Sequence, residues 1–246
     1  MEGDNLTELI VYNNNLDKID NVHDNVVRIN SYNNNISIIN INNLSNLQYL
    51  NLSYNNLSIL PSLKNLHNLT ILYITNNDNL RKIIGLPNSL EYFNCSNCNL
   101  QELPKYLPNR LKILHCSNNK LKKIPKCNSR LELFYCYGNK LKKLPKLNNK
   151  LKSLYCFNNR ITQLPQLIHT KLIELYCQNN KISIVTGLPN TLTELSVAGN
   201  ILKYIELPNN LKEAYLYSNL LDSLPIIPKS CGVFIYHSNP VYLNDI

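Results

Sequence analysis

Tryptophan is absent from this sequence of 246 residues, methionine occurs once, and alanine appears only at Ala198 and Ala214. Scarce alanine and glycine beside abundant asparagine (44 residues), lysine, isoleucine and tyrosine point to an AT-rich coding sequence. Abundance of Asn or Lys by itself is therefore weak evidence of function. No apolar run approaches the roughly 18 residues of a membrane span. The opening Met1-Glu2-Gly3-Asp4 is acidic and leads into no apolar stretch, which argues against a secretory peptide. Glycine is missing from position two, which excludes the myristoylation pattern. A cytoplasmic, reducing home is expected, and the eight cysteines are judged on that basis. A hydrophobic content of 44% is ordinary for a folded chain and argues against disorder.

What is present is a repeat. The unit L-x-x-L-x-L-x-x-N-x-L-x-x-L fits Leu47 to Leu60, followed by Pro61, and Leu151 to Leu164, followed by Pro165, with Cys156 and Ile161 in leucine places. Units begin at Leu6, Val26, Leu47, Leu69, Leu90, Leu111, Leu131, Leu151, Leu172, Leu192, Leu211 and, incompletely, Cys231. A fixed period of this kind marks a solenoid, because one unit cannot bury its own leucines and the stack shares a core. Alternation in L-x-L marks a short strand with one face inward, and equivalent strands of successive coils stack about 4.8 Å apart. The ninth-position Asn turns the chain, its amide serving backbone groups that no strand reaches. Proline after the last leucine removes a donor and breaks the strand period. Asn77-Asp78-Asn79-Leu80 carries one extra residue, read as a local bulge.

The pattern resembles the leucine-rich repeat family. The links Leu86-Pro87-Asn88-Ser89-Leu90, Leu107-Pro108-Asn109-Arg110-Leu111, Leu188-Pro189-Asn190-Thr191-Leu192 and Leu207-Pro208-Asn209-Asn210-Leu211 are similar to its short bacterial-effector class, L-P-x-x-L-x-x-L-x-x-x-x-N-x-L-x-x-L-P. The resemblance implies an α/β leucine-rich-repeat solenoid forming a single domain over residues 1–246. Its form would be a right-handed curved stack of about twelve coils of 20–22 residues. A parallel β-sheet would line the concave face, with mostly extended or 3₁₀ convex segments. It also implies interference with host signalling or ubiquitination, and the AT bias is compatible with a large DNA virus as the source.

Repeat phase places the other residues. Cys95, Cys116, Cys136, Cys156 and Cys177 all occupy position six, which points into the core, and read as a column of reduced thiols acting as small hydrophobes. Disulfides between coils would need Cβ atoms closer than parallel strands bring them, and a linear row does not suit tetrahedral zinc. Cys95-x-x-Cys98 is a lone pair with Cys98 in the turn-Asn place, and no metal or cofactor is expected.

Positions five and seven face outward on the concave side. They hold Tyr73, His115, Tyr135, Tyr155, Tyr176 and Tyr215, with Tyr137, Phe157 and Tyr217 beside them. Clustered aromatics are candidate anchors for a protein partner, although Tyr also stacks along a sheet for its own packing. Residues 81–160 carry 17 basic and three acidic side chains, whereas residues 1–80 carry 3 and 7 and residues 161–246 carry 5 and 6. Lys120, Lys140 and Arg160 follow the turn Asn, and Lys122, Lys123, Lys142 and Lys143 take surface positions just beyond. Stacked coils would align them as a basic ridge or leave them as a solvated face.

The expected function is non-enzymatic: recognition of an acidic or mixed-charge protein partner on a concave aromatic and basic face. The alternative is polyanion binding, to nucleic acid or anionic lipid, along the ridge. The repeats leave no room for a separate catalytic domain, and the histidines at 23, 67, 115, 169 and 237 form no catalytic cluster by phase.

Overall fold

The computed structural model describes residues 7–241, so the repeat start at Leu6 lies outside the described residues. The chain divides into two units, Met1–Leu121 and Lys122–Ile246. In the first, ten short strands form: β1 (Glu8–Ile10), β2 (Lys18–Ile19), β3 (Arg28–Asn30), β4 (Ile38–Ile39), β5 (Tyr49–Asn51), β6 (Ile59–Ser62), β7 (Ile71–Tyr73), β8 (Lys82–Gly85), β9 (Tyr92–Asn94) and β10 (Ile113–His115). One strand per coil builds a parallel sheet in the order β1-β3-β5-β7-β9-β10. The second unit repeats the plan with β11 (Leu133–Tyr135), β12 (Ser153–Tyr155), β13 (Glu174–Tyr176), β14 (Glu194–Ser196), β15 (Glu213–Tyr215) and β16 (Val233–Ile235), each parallel to the next. No α-helix forms among the described residues.

The strands occupy repeat positions three to five. Position four points inward, and Leu50, Phe93, Phe134 and Leu154 there are wholly buried, as are Leu47, Leu52, Leu57 and Leu60 of one coil. Positions three and five are half-buried. Away from the main sheet, β2 pairs with β4 and β6 with β8. The proline rule gives way here, because Pro61 lies inside β6. That strand sits in a two-stranded sheet, where a missing donor can face away from the ladder.

Asparagine closes each coil. The Asn180 side chain donates to the carbonyls of Cys156 and Cys177, each at 3.0 Å, and its Oδ1 accepts the Ile161 N–H at 2.9 Å. Asn55, Asn77, Asn119, Asn159, Asn200, Asn219 and Asn239 repeat this pattern, tying the position-six carbonyls of two coils to the position-eleven N–H of the earlier one. Cys98 is the exception, and the extra residue of the preceding coil explains it. The turn at Asn77–Leu80 lets the Leu80 N–H donate to the Asn77 carbonyl at 2.9 Å, so the next coil needs no side-chain acceptor. A thiol suffices there, donating to the Ile74 carbonyl at 3.3 Å.

Position eight holds a second, independent constraint. Asn33, Tyr54, Asn76, Asn97, Asn118, Gly138, Asn158, Asn179, Gly199, Ser218 and Ser238 all have φ between 52° and 65°. Asparagine tolerates this left-handed region better than most side chains. Part of the asparagine excess thus has a conformational cause and not merely a genomic one. Asn118 and Asn179 also donate to the preceding column member, Asn97 and Asn158, at 2.8 and 2.9 Å.

Removing one ladder amide strands two buried carbonyls and an N–H. Asn180→Ala is expected to cost about 3–5 kcal/mol, and Cys98→Ala only about 1 kcal/mol, in denaturant unfolding. Equal costs would refute the compensation between Cys98 and the Asn77–Leu80 turn. Ser31, at position six, is wholly buried with its hydroxyl unpartnered. Ser31→Ala should therefore raise stability by about 1 kcal/mol, and a lower unfolding midpoint would contradict that placement.

Candidate partner-binding face

Register decides what the outward side chains do. Tyr135, Tyr155 and Tyr176 are directly opposite one another on β11, β12 and β13. Their ring centroids are 4.7 Å apart at each step, with interplanar angles of 26° and 19°. That spacing equals the strand separation of a sheet, so in-register pairing alone brings successive rings into stacking distance. Tyr137 and Phe157 form a second column at 4.4 Å and 6°. Phe157 needs no polar handle, because Tyr137 covers its face. The aromatic surface is accordingly half-buried: ring edges and hydroxyls face out, and ring faces are spent on each other. The position-five column breaks at one coil, where Ser196 is buried, and resumes at Tyr215; the position-seven column is interrupted over two coils, at Gln178 and the buried Ala198, and resumes at Tyr217, which stacks on His237 at 5.0 Å.

The remaining two sequence candidates lie in the first unit. Tyr73 sits between Tyr49 and Tyr92, at 5.8 and 4.8 Å, and His115 is 5.6 Å from Tyr92. Burial lowers the His115 pKa, which keeps its imidazole neutral at neutral pH.

Position three supplies functional candidates that the sequence reading passed over. It faces outward by the same alternation as position five, and in the second unit it carries Glu174, Glu194 and Glu213 in register. The Tyr155 hydroxyl donates to Glu174 at 3.0 Å, Tyr176 to Glu194 at 2.6 Å, and Tyr215 to Glu213 at 3.1 Å. Burial first, and then these bonds, raise the Tyr155 and Tyr176 pKa values well above the phenol range. None of the three carboxylates joins an ion pair among the described residues; the basic partners Lys112 and Lys152 serve Glu91 and Glu132 instead, at 2.7 and 2.8 Å. The strand face of the second unit therefore combines stacked phenols with unneutralised carboxylates.

The lysines lie elsewhere. Lys120 belongs to the first unit; Lys122, Lys123, Lys140, Lys142, Lys143 and Arg160 belong to the second. All seven are exposed and none forms an ion pair among the described residues. They occupy positions ten, twelve and thirteen, beyond the strand, which leaves the strand face of the second unit to tyrosine and glutamate.

All eight cysteines are free, and only Cys231 is less than buried. Burial pushes the Cys156 thiol up to about 12 and the Cys127 thiol to about 12, and holds Cys95 and Cys177 well above their ordinary value. Cys98 rises to about 11 from the same cause. No group of three or more His, Cys, Asp or Glu side chains is placed to hold a metal among the described residues. No helix among them is long and apolar enough to cross a membrane.

Alkylation at pH 8 should label Cys231 alone in the folded protein and all eight cysteines after unfolding, read by mass spectrometry. Fast labelling of Cys156 would refute its burial. The tyrosines yield a second test. A phenol whose folded pKa is raised adds stability that is fully present below the unfolded value of about 10 and is lost as pH rises through the folded value. Phenolate absorbance should therefore show two populations, the later one, with Tyr155 and Tyr176, appearing only as the alkaline protein unfolds. A single step near pH 10 with the fold intact would contradict the Tyr–Glu contacts.

Residues 46–66 and 89–109 match the Leucine Rich Repeat family model. No curated protein matches the chain. Among solved structures it is similar to YopM, a leucine-rich effector protein from Yersinia pestis, at 30% identity and a TM-score of 0.74, over 92% of this chain and 70% of that one. It shares the fold of InlJ from Listeria monocytogenes, whose functional domain includes a cysteine ladder, at 22% identity and a TM-score of 0.62, over 89% of this chain and 60% of that one. The same holds for the leucine-rich repeats of FLRT2, solved within a complex with latrophilin 3 and Unc5D, at 20% identity, a TM-score of 0.62, and 90% and 87% coverage. Period, asparagine ladder, parallel one-strand coils and the match to YopM agree: this chain belongs to the leucine-rich repeat family, in its bacterial-effector-like class.

Proposed function

We propose that the protein is a non-enzymatic interaction module that grips a protein partner of mixed charge on the strand face of its second unit. One observation carries this reading. Glu174, Glu194 and Glu213 stand in register beside the Tyr135–Tyr155–Tyr176 stack, and none of them is in an ion pair among the described residues. Like charges directly opposite across strands repel, and a partner's cationic or hydrogen-bonding side chains would relieve that repulsion. The tyrosine hydroxyls and ring edges offer rigid contact at little entropic cost. Acidic segments of the same partner would meet Lys140, Lys142, Lys143 and Arg160 on the flank. Leucine-rich repeats typically serve protein–protein interaction, and FLRT2 was solved in a protein complex. Reduced cysteines suit action in the cytoplasm, where the effector resemblance suggests host signalling or ubiquitination as the pathway touched.

Affinity capture from the native cell, comparing parent with Tyr155→Ala/Phe157→Ala and with Glu174→Gln/Glu194→Gln, tests this. Each double variant should lose the partner by about 2 kcal/mol or more; the aromatic variant should melt below the parent because it gives up its ring stacks, and the glutamate variant, which keeps them, should melt close to it. Retention by both would sink the strand-face reading. The exposed, unpaired cations keep polyanion binding as a second reading. It expects affinity that falls steeply with salt and disappears on charge reversal of Lys122, Lys123, Lys142 and Lys143. Unchanged binding of RNA or anionic vesicles after that reversal would eliminate it.

A further inference from the structure

The flank that carries the lysines changes character along the second unit. At position ten the series runs Lys140, Arg160, Lys181 and then Ile201, Leu220; at position thirteen it runs Lys143, Gln163 and then Ile184, Tyr204. Ile184 and Tyr204 are each 59% exposed, Ile201 46% and Leu220 44%. Large apolar side chains on adjoining coils form an exposed patch, and apolar patches rimmed by polar residues mark interaction sites.

The patch is concave. Ile184, Ile201, Tyr204 and Leu220 line a groove of about 600 Å³. Ile184 and Thr186 also belong to a second groove of about 400 Å³, bounded by Leu164, Pro165 and Ile168, the last 62% exposed. Sharing Ile184 and Thr186, the two adjoin, and we read them as one trough whose lining comes from four successive coils. Three coil steps of about 4.8 Å make a run near 14 Å, the reach of an extended segment of about four residues.

Charge identifies the occupant. Lys181 and Lys203 are exposed beside the trough, and Arg160 lies one coil before Lys181 in the same column. None of the three is ion-paired among the described residues. Of the two acids nearby, Glu206 accepts the Tyr204 hydroxyl at 3.2 Å, and Asp222 sits on the far coil. We propose that this trough docks a short extended peptide segment of a partner protein, with two or more apolar side chains in the groove and Asp or Glu against Lys181, Lys203 and Arg160. This goes beyond the strand-face reading and does not depend on it, since Tyr155 and Glu174 take no part.

Random peptides displayed on phage, panned against the full chain, test the proposal. Enriched sequences should pair aliphatic or aromatic residues with flanking acids. By fluorescence anisotropy, the leading peptide should bind roughly tenfold or more weakly to Ile184→Ser/Ile201→Ser. Both residues are exposed, so the double variant should melt with the parent. Lys181→Glu/Lys203→Glu should shift selection toward Lys- or Arg-bearing peptides, while Tyr155→Ala should bind as the parent does. The proposal is overturned if no sequence class is enriched, if the enriched peptides are basic against the parent, or if binding survives loss of Ile184 and Ile201. It is equally overturned if these isoleucines instead mediate attachment to phosphatidylserine vesicles.

Discussion

Everything else in this protein hangs on an amide that must satisfy three partners at once. At each turn the backbone leaves the sheet, and the position-six carbonyls and position-eleven N–H groups lose any strand partner. Unpaired in the core, each would cost about 1–3 kcal/mol. The ninth-position asparagine supplies two donors and an acceptor in one rigid plane and so joins coils roughly twenty residues apart. Asp offers no donors, and Gln would reach too far. Where this demand is relaxed, as at the Asn77–Leu80 turn, a thiol replaces the amide without a gap in the ladder.

The ladder also explains the cysteines. Cys156 lends its carbonyl to both Asn159 and Asn180, while its side chain sits wholly buried among the leucines of its coil. Burial keeps the thiol protonated, so the same packing that makes cysteine useful as a small hydrophobe makes it chemically inert. The chemistry worth pursuing lies on the outward positions, where stacked phenols meet carboxylates on one face and cations give way to an apolar trough on a flank.

Much of this was legible from the residues. In a strand of period two, the buried leucine at position four settles the sense of positions three and five, so the outward direction of Tyr135, Tyr155 and Tyr176 followed directly, although stacking leaves them half-buried. Glu174, Glu194 and Glu213 obeyed the same rule and were equally readable, but attention to aromatics and lysines passed them by. Position eight was harder. Its left-handed backbone leaves only a mixture of Asn, Gly, Ser and Tyr, which reads as composition until the φ angles are seen.

The sequence by itself determined the period, the inward and outward sense of each strand residue, and the polar ladder, because a shared core admits only one phase of leucine. Tertiary structure alone decided which outward groups meet. Ring stacking at 4.7 Å requires strands in register. The merging of Ile184, Ile201, Tyr204 and Leu220 into one trough arises in coil segments beyond the strands, where no alternation constrains direction. There, side-chain direction is set by packing against the coils on either side, and neighbours in space are about twenty residues distant in the chain.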